Sequence, residues 1–160
     1  MKARLAASAA LALGIVIGAS GCSMITYQAT TEHYDASDGV SVNVGQLDLR
    51  NVLVVSDDGE QGNLVMTVVN RGDKDASLNV EFGDGSTVTE PIKIAAGSTV
   101  AFGVDDVEGL EVQEPVLLEG IDSIPGSLMP MFFQYSGAEG QEINVPVLDG
   151  ALAEYKSLVP

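Results

Sequence analysis

The sequence predicts an all-β fold, and three observations support that prediction. Several short segments alternate between apolar and polar residues, which is the period of a strand with one buried face. Turn dipeptides such as Asp38-Gly39 and Asp58-Gly59 separate the segments at intervals of roughly 8–15 residues. Beyond residue 38, no long stretch carries an apolar stripe at helical spacing. The pattern indicates an antiparallel β-sandwich, either immunoglobulin-like or cupredoxin-like.

The first residues of the chain are typical of a secretion signal. Lys2 and Arg4 precede an uncharged run over residues 5–17, and small residues follow it up to Cys22. The run is shorter than the about 20 apolar residues that a membrane-spanning helix needs. A basic segment, a short apolar segment and small residues therefore predict a signal peptide over residues 1–21.

Cys22 is the only cysteine in the chain, so it has no disulfide partner within the protein. Ser20-Gly21-Cys22 resembles the lipobox of bacterial lipoproteins, although Ala19 stands where that motif usually has leucine. The resemblance implies cleavage before Cys22 and acylation of its thiol with palmitate-type chains. Each buried methylene contributes about 0.8 kcal/mol, so two or three chains would hold the protein on the extracytoplasmic face of the cell membrane.

The remaining chain is strongly acidic. Loss of residues 1–21 removes Lys2 and Arg4, which leaves five basic residues against 23 acidic ones and a formal net charge of −18. Nucleic-acid binding is not expected, because phosphate neutralisation needs clustered Lys and Arg. Adsorption to anionic lipid through a basic face is not expected either, so membrane attachment depends on the anchor.

The predicted organisation is a signal peptide, a lipidated cysteine with a flexible tether over residues 22–38, and a sandwich domain over residues 39–160. Residues 51–55 and 64–69 are apolar at both parities, which predicts central strands covered on both faces. A last helical turn or two is expected within residues 151–158. The alternating strands are predicted at residues 77–82, 100–104 and 143–147.

No combination of residues predicts catalysis, and no cofactor is expected. His33 is the only histidine and lies in the tether, where it cannot be held in the geometry of a Ser-His-Asp triad. The Gly-x-Gly at Gly83 and Gly85 lies between two strands, so it predicts a hairpin and no phosphate site. The acidic pairs Asp57-Asp58 and Asp105-Asp106 lie in predicted turns, where aspartate is favoured for backbone reasons. The acidic stretch 35–38 lacks the ligand spacing of an EF-hand.

Residues 47–148 resemble, in layout, actinobacterial lipoproteins of unknown role and, more distantly, the extracytoplasmic copper-chaperone family. The likeness is carried by the strand over residues 63–70 running into Arg71-Gly72-Asp73, by residues 96–100 and by residues 140–147. In the copper chaperones these positions hold an Asn-x-Gly-Asp turn, a strand, and the closing strand after a His-x-Met ligand pair. The resemblance therefore implies a sandwich fold.

The copper ligands of that family are incomplete in this sequence. Ser127 stands where the histidine would be, and only Met129 matches the pair. Cu(I) sites combine thioether and imidazole ligands. Met129 and Met131 share parity and are expected to point together into the core. No metal site is therefore predicted, and the weak alternative is a site that uses Met129 and Met131, with His33 folding back.

These observations favour a non-enzymatic, membrane-anchored extracytoplasmic lipoprotein with a binding or accessory role, whose partner is an unidentified protein of the cell envelope. The alternative is a copper-handling, chaperone-like protein that uses Met129 and Met131. An enzyme would require two carboxylates that the fold brings together in a pocket.

Overall fold

The computed structural model describes residues 1–20, 30, 34–83, 87–106, 108–136 and 140–160. The chain divides into two compact units, Met1–Tyr34 and Asp35–Pro160. In the first unit, α1 (Lys2–Ser20) forms one helix, and its side chains are exposed up to residue 16. Within the described part of the chain, no helix is both long enough and apolar enough to cross a bilayer.

The second unit is a β-sandwich, as predicted. Its described residues form eleven strands and a short 3-10 helix, Lys156–Leu158. The strands are β1 (Val40–Val44), β2 (Leu47–Val55), β3 (Gln61–Asn70), β4 (Ala76–Phe82), β5 (Thr87–Val88), β6 (Ile92–Ile94), β7 (Thr99–Phe102), β8 (Glu111–Gln113), β9 (Val116–Glu119), β10 (Leu128–Tyr135) and β11 (Gly140–Leu148).

The eleven strands form one continuous sheet that curls into two layers. The first layer has the order β5-β4-β10-β11, with β6 also paired to β4. The second layer has the order β2-β3-β7-β8, with β1 paired to β2 and β9 paired to β3. Most pairs are antiparallel, as the sequence predicts, but β11 with β2 and β7 with β8 are parallel. Alternation and turn residues identify strands, but they do not fix the direction of a partner that is distant in sequence.

β11 belongs to both layers and changes layer at Pro146. Residues before that point pair with β10, and the last of these pairs joins Leu128 to Pro146. Val147 and Leu148 pair with Val54 and Val55 of β2. Proline has no N–H to continue a ladder, so it is compatible with a strand that leaves one sheet for another.

The main core lies between the two layers. Alternate residues of β4 and β10 are buried, and Val80, Met131 and Phe133 are at most 1% exposed. The opposing layer contributes Leu49, Leu64 and other apolar side chains to the same cluster. Burial of these side chains stabilises the fold by roughly 25 cal/mol per Å² of apolar surface.

A β-bulge at Asn51 changes which face of β2 points into this core. Asn51 has a φ of 50°, and the β2–β3 register shifts between Arg50 and Leu53. Leu47 and Leu49 face the main core before the bulge, whereas Val52 and Val54 face it afterwards. One extra residue reverses the parity of a strand, so the apolar residues that follow lie on both faces.

The C-terminal segment covers the outer face of β2 and β3. Leu53, Val55, Val65 and Tyr155 form a second buried cluster, against which Val104, Leu148, Leu158 and Val159 pack. Asn63 Nδ2 donates a hydrogen bond to the Leu158 carbonyl at 2.9 Å. This covering confirms the predicted two-faced burial for residues 52–55, whereas Asn51 at the bulge is half-buried. The prediction holds only in part for residues 64–69, because Thr67 and Val69 remain half-buried.

The start of the unit is joined to this C-terminal segment. The Tyr155 hydroxyl donates to Asp38 Oδ2 at 2.7 Å, and the Ser41 N–H donates to Asp35 Oδ2 at 2.9 Å. Most of the predicted tether lies outside the described residues. Its last four residues belong to the compact unit Asp35–Pro160.

Asn70 organises the turn that follows β3. Its side chain is buried, and its Nδ2 lies 2.9–3.1 Å from the carbonyls of Lys74, Ile94 and Ala95. Its Oδ1 accepts a hydrogen bond from the Gly72 N–H at 2.9 Å. One side-chain amide thus forms hydrogen bonds with backbone groups of the turn after β3 and of the end of β6. Buried polar groups need such partners.

We expect Asn70→Ala to lower the free energy of unfolding by about 2 kcal/mol or more, because the substitution leaves several backbone groups without partners. The measurement is urea unfolding followed by far-UV circular dichroism, since the chain has no tryptophan. Asn79→Ala on the half-buried face of β4 is the matched control and should change stability by less than about 0.5 kcal/mol. Equal effects of the two substitutions would contradict the role of Asn70.

Tyr155 should make stability depend on pH in the alkaline range. Burial and, to a lesser extent, the hydrogen bond to Asp38 raise the pKa of Tyr155 from 10.0 to about 12. Between these two values the unfolded side chain ionises while the folded one keeps its proton. Stability should therefore be fully present below pH 10 and fall as the pH rises towards 12.

Tyr155→Phe should lower the free energy of unfolding by about 1 kcal/mol near neutral pH, because phenylalanine cannot form the hydrogen bond to Asp38. Between pH 10 and 12, the stability of this variant should fall less than that of the wild type. Tyr34→Phe is the control, because Tyr34 is 80% exposed. Urea midpoints measured across the same pH series test both variants. A Tyr155→Phe variant that follows the wild-type pH profile would show that another group is responsible.

Candidate binding cleft

A cleft opens on the side of the sandwich opposite the strand that joins the layers. One lip is formed by residues 88–93, at the β5–β6 end of the first layer. The other lip is formed by residues 113–119, around β8 and β9 of the second layer. The cleft has a volume of about 870 Å³. This size lies within the usual range for ligand sites.

Apolar side chains form the floor of the cleft and part of each lip. Phe82 and Phe102 line it and are each 3% exposed, so they form its buried floor. Val88 and Leu117 line it with exposed fractions of 55% and 50%, one on each lip. Large apolar side chains that stay half-exposed beside a concave surface are typical of binding sites.

The charged residues that line the cleft are mainly acidic. Three carboxylates, Glu90, Glu114 and Glu119, accompany one ammonium group, that of Lys93. Among the residues that the structure describes, the ion pairs are those of Asp48 with Arg50 and Arg71, and none of the cleft carboxylates takes part in one. The cleft therefore presents a net negative charge.

The two lips begin with the same short sequence pattern. Glu90-Pro91 precedes the apolar residues of β6, and Glu114-Pro115 precedes those of β9. Proline is common where an edge strand begins, because it limits unwanted pairing there. The repeated Glu-Pro followed by an apolar strand was the sequence signal for this cleft. The prediction missed it because the two lips lie more than 20 residues apart.

Two smaller cavities lie elsewhere on the unit. One of about 500 Å³ is lined by Asp75, Lys93 and Glu111 among others, so Lys93 borders it and the cleft. Another, of about 390 Å³, lies beside Tyr155 and Leu158 of the C-terminal segment. The cleft is larger than either of these two cavities.

Of the residues predicted as sites, the structure describes Met129 and Met131, and both lie in the main core. Cys22 and His33 lie outside the described residues. Met129 and Met131 point into the main core, and each is 1% exposed. In the pairing of β10 with β11, they lie opposite Val145 and Ile143. In the described ranges, no group of three or more His, Cys, Asp or Glu could hold a metal ion.

The acidic pair Asp57-Asp58 lies in a bend after β2, whereas Asp105-Asp106 lies in an irregular stretch after β7 with no assigned turn. Asp58 Oδ1 accepts hydrogen bonds from the N–H groups of Glu60 and Gln61 at 2.7 and 3.2 Å, and these bonds lower the pKa of Asp58 below its ordinary value. Asp105 and Asp106 are exposed. Gly83 has a φ of 67° and follows β4, which pairs antiparallel with β5. This arrangement agrees with the predicted hairpin, although residues 84–86 lie outside the described part.

The fold of this unit is similar to that of a solved structure at low sequence identity. An apo PCuAC domain from PmoF1 is 14% identical with a TM-score of 0.50, covering 67% of this chain and 97% of its own. The apo PmoF2 PCuAC domain is 15% identical with a TM-score of 0.49 (70% and 97% covered), and a copper-bound PCuAC domain from PmoF2 is 16% identical with a TM-score of 0.48 (68% and 97%). At such identities the likeness is one of fold alone.

No protein-family model matches the chain, and no curated protein matches it. The structural comparison shows that the sandwich is similar in fold to a PCuAC domain, which agrees with the resemblance to the copper-chaperone family.

Proposed function

We propose that this chain is a non-catalytic binding protein, held on the extracytoplasmic face of the cell membrane by a lipid on Cys22, and that its cleft takes the ligand. The observation that carries the binding role is the open cleft, with buried phenylalanines below and half-exposed apolar side chains on both lips. The anchor is supported by the lipobox-like end of the first apolar run and by the single cysteine.

A binding role also agrees with the chemistry of the described residues. Asp58 accepts hydrogen bonds from its own loop, three glutamates line the cleft, and the described residues include no histidine that could serve as a general base. The cleft carboxylates lie beside apolar side chains, an arrangement suited to recognition. The strands of the sandwich position both lips of this site.

The anchor predicts a membrane-bound protein. We expect the wild-type chain in the membrane fraction, and we expect Cys22→Ala to release it or to leave the precursor uncut, because the lipid can no longer be attached. An inhibitor of the lipoprotein signal peptidase should cause the precursor to accumulate. The measurement is detergent-free fractionation followed by mass spectrometry of the N-terminal peptide. A wild-type protein that is soluble and unacylated would contradict the anchor.

The binding role predicts a partner at the cleft. A photoreactive amino acid at position 117 should give a discrete crosslinked product in intact cells, because Leu117 lies on a lip of the cleft. The same amino acid at position 152 is the matched control, since Leu152 is 53% exposed and does not line the cleft. Equal crosslinking from both positions, or none from position 117, would contradict a site at the cleft.

A second candidate function is copper handling. It is favoured by the fold shared with a PCuAC domain, together with the match of Met129 to the family's ligand pair. Copper would be the cargo, and Met129 and Met131 would supply thioether ligands. Both side chains are 1% exposed, so binding would require β10 to expose them.

Copper handling predicts that the wild-type protein takes Cu(I) from a competing chelator. The double variant with Met129→Leu and Met131→Leu should no longer do so. Leucine keeps about the same volume, so the core should remain packed. Met66→Leu is the matched control, because Met66 is equally buried in the same core. Retention of Cu(I) by the double variant, or no retention by the wild type, would end this candidate.

A further inference from the structure

We infer that the cleft binds an extended, cationic segment of a partner protein, which places apolar side chains between the lips and basic side chains beside the carboxylates. The inference rests on the binding function proposed above and names the class of its partner. It is carried by three features of the cleft: the apolar side chains of its floor and lips, its charge and the free strand edges that border it.

The apolar side chains on the floor and lips of the cleft can accept side chains inserted from an extended peptide. Val88 and Leu117 stand half-exposed on opposite lips, and Phe82 and Phe102 lie buried beneath them. Alternate residues of an extended peptide point the same way, so one face of such a peptide can fill the cleft. The exposed apolar area of both lips would then be removed from water.

The charge of the cleft selects the sign of the partner. Glu90, Glu114 and Glu119 outnumber Lys93, and the whole chain carries a formal net charge of −16. Like charges at an interface are unfavourable, and complementary charges direct association. An anionic lipid surface or an acidic segment would be repelled. A second copy of this acidic chain would be repelled as well.

Free strand edges offer backbone groups to the segment. Among the described residues, β6 pairs with β4 alone, and β9 pairs with β3 alone. Each of these lip strands therefore has one edge whose N–H and C=O groups are available for an added strand. Pro91 and Pro115 stand just before the strands, so they do not remove a donor from within β6 or β9.

The test uses two labelled heptapeptides with alternating valine and serine, one flanked by lysines and the other by glutamates. The full-length mature protein is held in phosphatidylcholine nanodiscs, and empty nanodiscs provide the blank. Fluorescence anisotropy should show that the lysine peptide binds at least about tenfold more tightly than the glutamate peptide. Raising the salt concentration from about 50 to about 500 mM should weaken its binding.

Two matched pairs of variants locate the site. A triple variant should weaken binding of the lysine peptide about tenfold or more. It combines Glu90→Lys, Glu114→Lys and Glu119→Lys. The control makes the same charge change at three exposed acids outside the cleft, Asp57→Lys, Asp73→Lys and Glu142→Lys. Leu117→Ser should also weaken binding, whereas Leu152→Ser, at a similar exposure, should not.

Several results would overturn the inference: equal binding of both peptides, binding of neither, or the same loss of binding in a cleft variant and its control. A concentration-dependent dimer that Leu117→Ser abolishes and that excludes the lysine peptide would identify a second copy as the occupant. Crosslinking from position 117 in cells tests the proposed binding function separately. A crosslinked partner without a preference for the lysine peptide removes only this inference.

Discussion

The change of layer at Pro146 is the constraint on which the rest of the sandwich depends. β11 pairs with β10 up to that residue and then with β2, so the two layers are joined along one side by a single strand. The opposite side is not joined by any described strand pair, and the β5–β6 and β8–β9 segments end there. The same topology thus closes the core on one side and leaves the cleft open on the other. Both the buried floor and the free strand edges follow from it.

The strands of the fold could be predicted from the sequence because their signals are local. The alternation in β4 places Leu78, Val80 and Phe82 in the core, and the structure buries all three. The two-faced burial of residues 52–55 was also predicted, but its cause was not. The bulge at Asn51 depends on the register with β3, and the covering Tyr155 comes from the far end of the chain. Neither relation leaves a periodic signal within a window of ten residues.

The candidate site was harder to predict than the fold. The sequence directs attention to Cys22, for which it predicts lipidation, and to Met129 and Met131, whose shared parity indicates core packing. The cleft instead joins two edges, each with Glu-Pro before an apolar strand, and their proximity depends on the pairing of β6 with β4 and of β9 with β3. Composition established the acidic charge of the chain. Only the topology shows that part of this charge gathers beside exposed apolar side chains.

The hydrogen bond between Tyr155 and Asp38 has a mechanical consequence. A pull on the chain ahead of the sandwich first reaches Asp35, which accepts a hydrogen bond from Ser41 of β1, and then Asp38, whose 2.7 Å bond passes part of the load to the C-terminal segment. That segment is packed against Leu53, Val55 and Val65, so tension would be shared between β1 and the outer face of β2 and β3. A force applied at the first residues of the unit would thus be met by contacts from both of its ends.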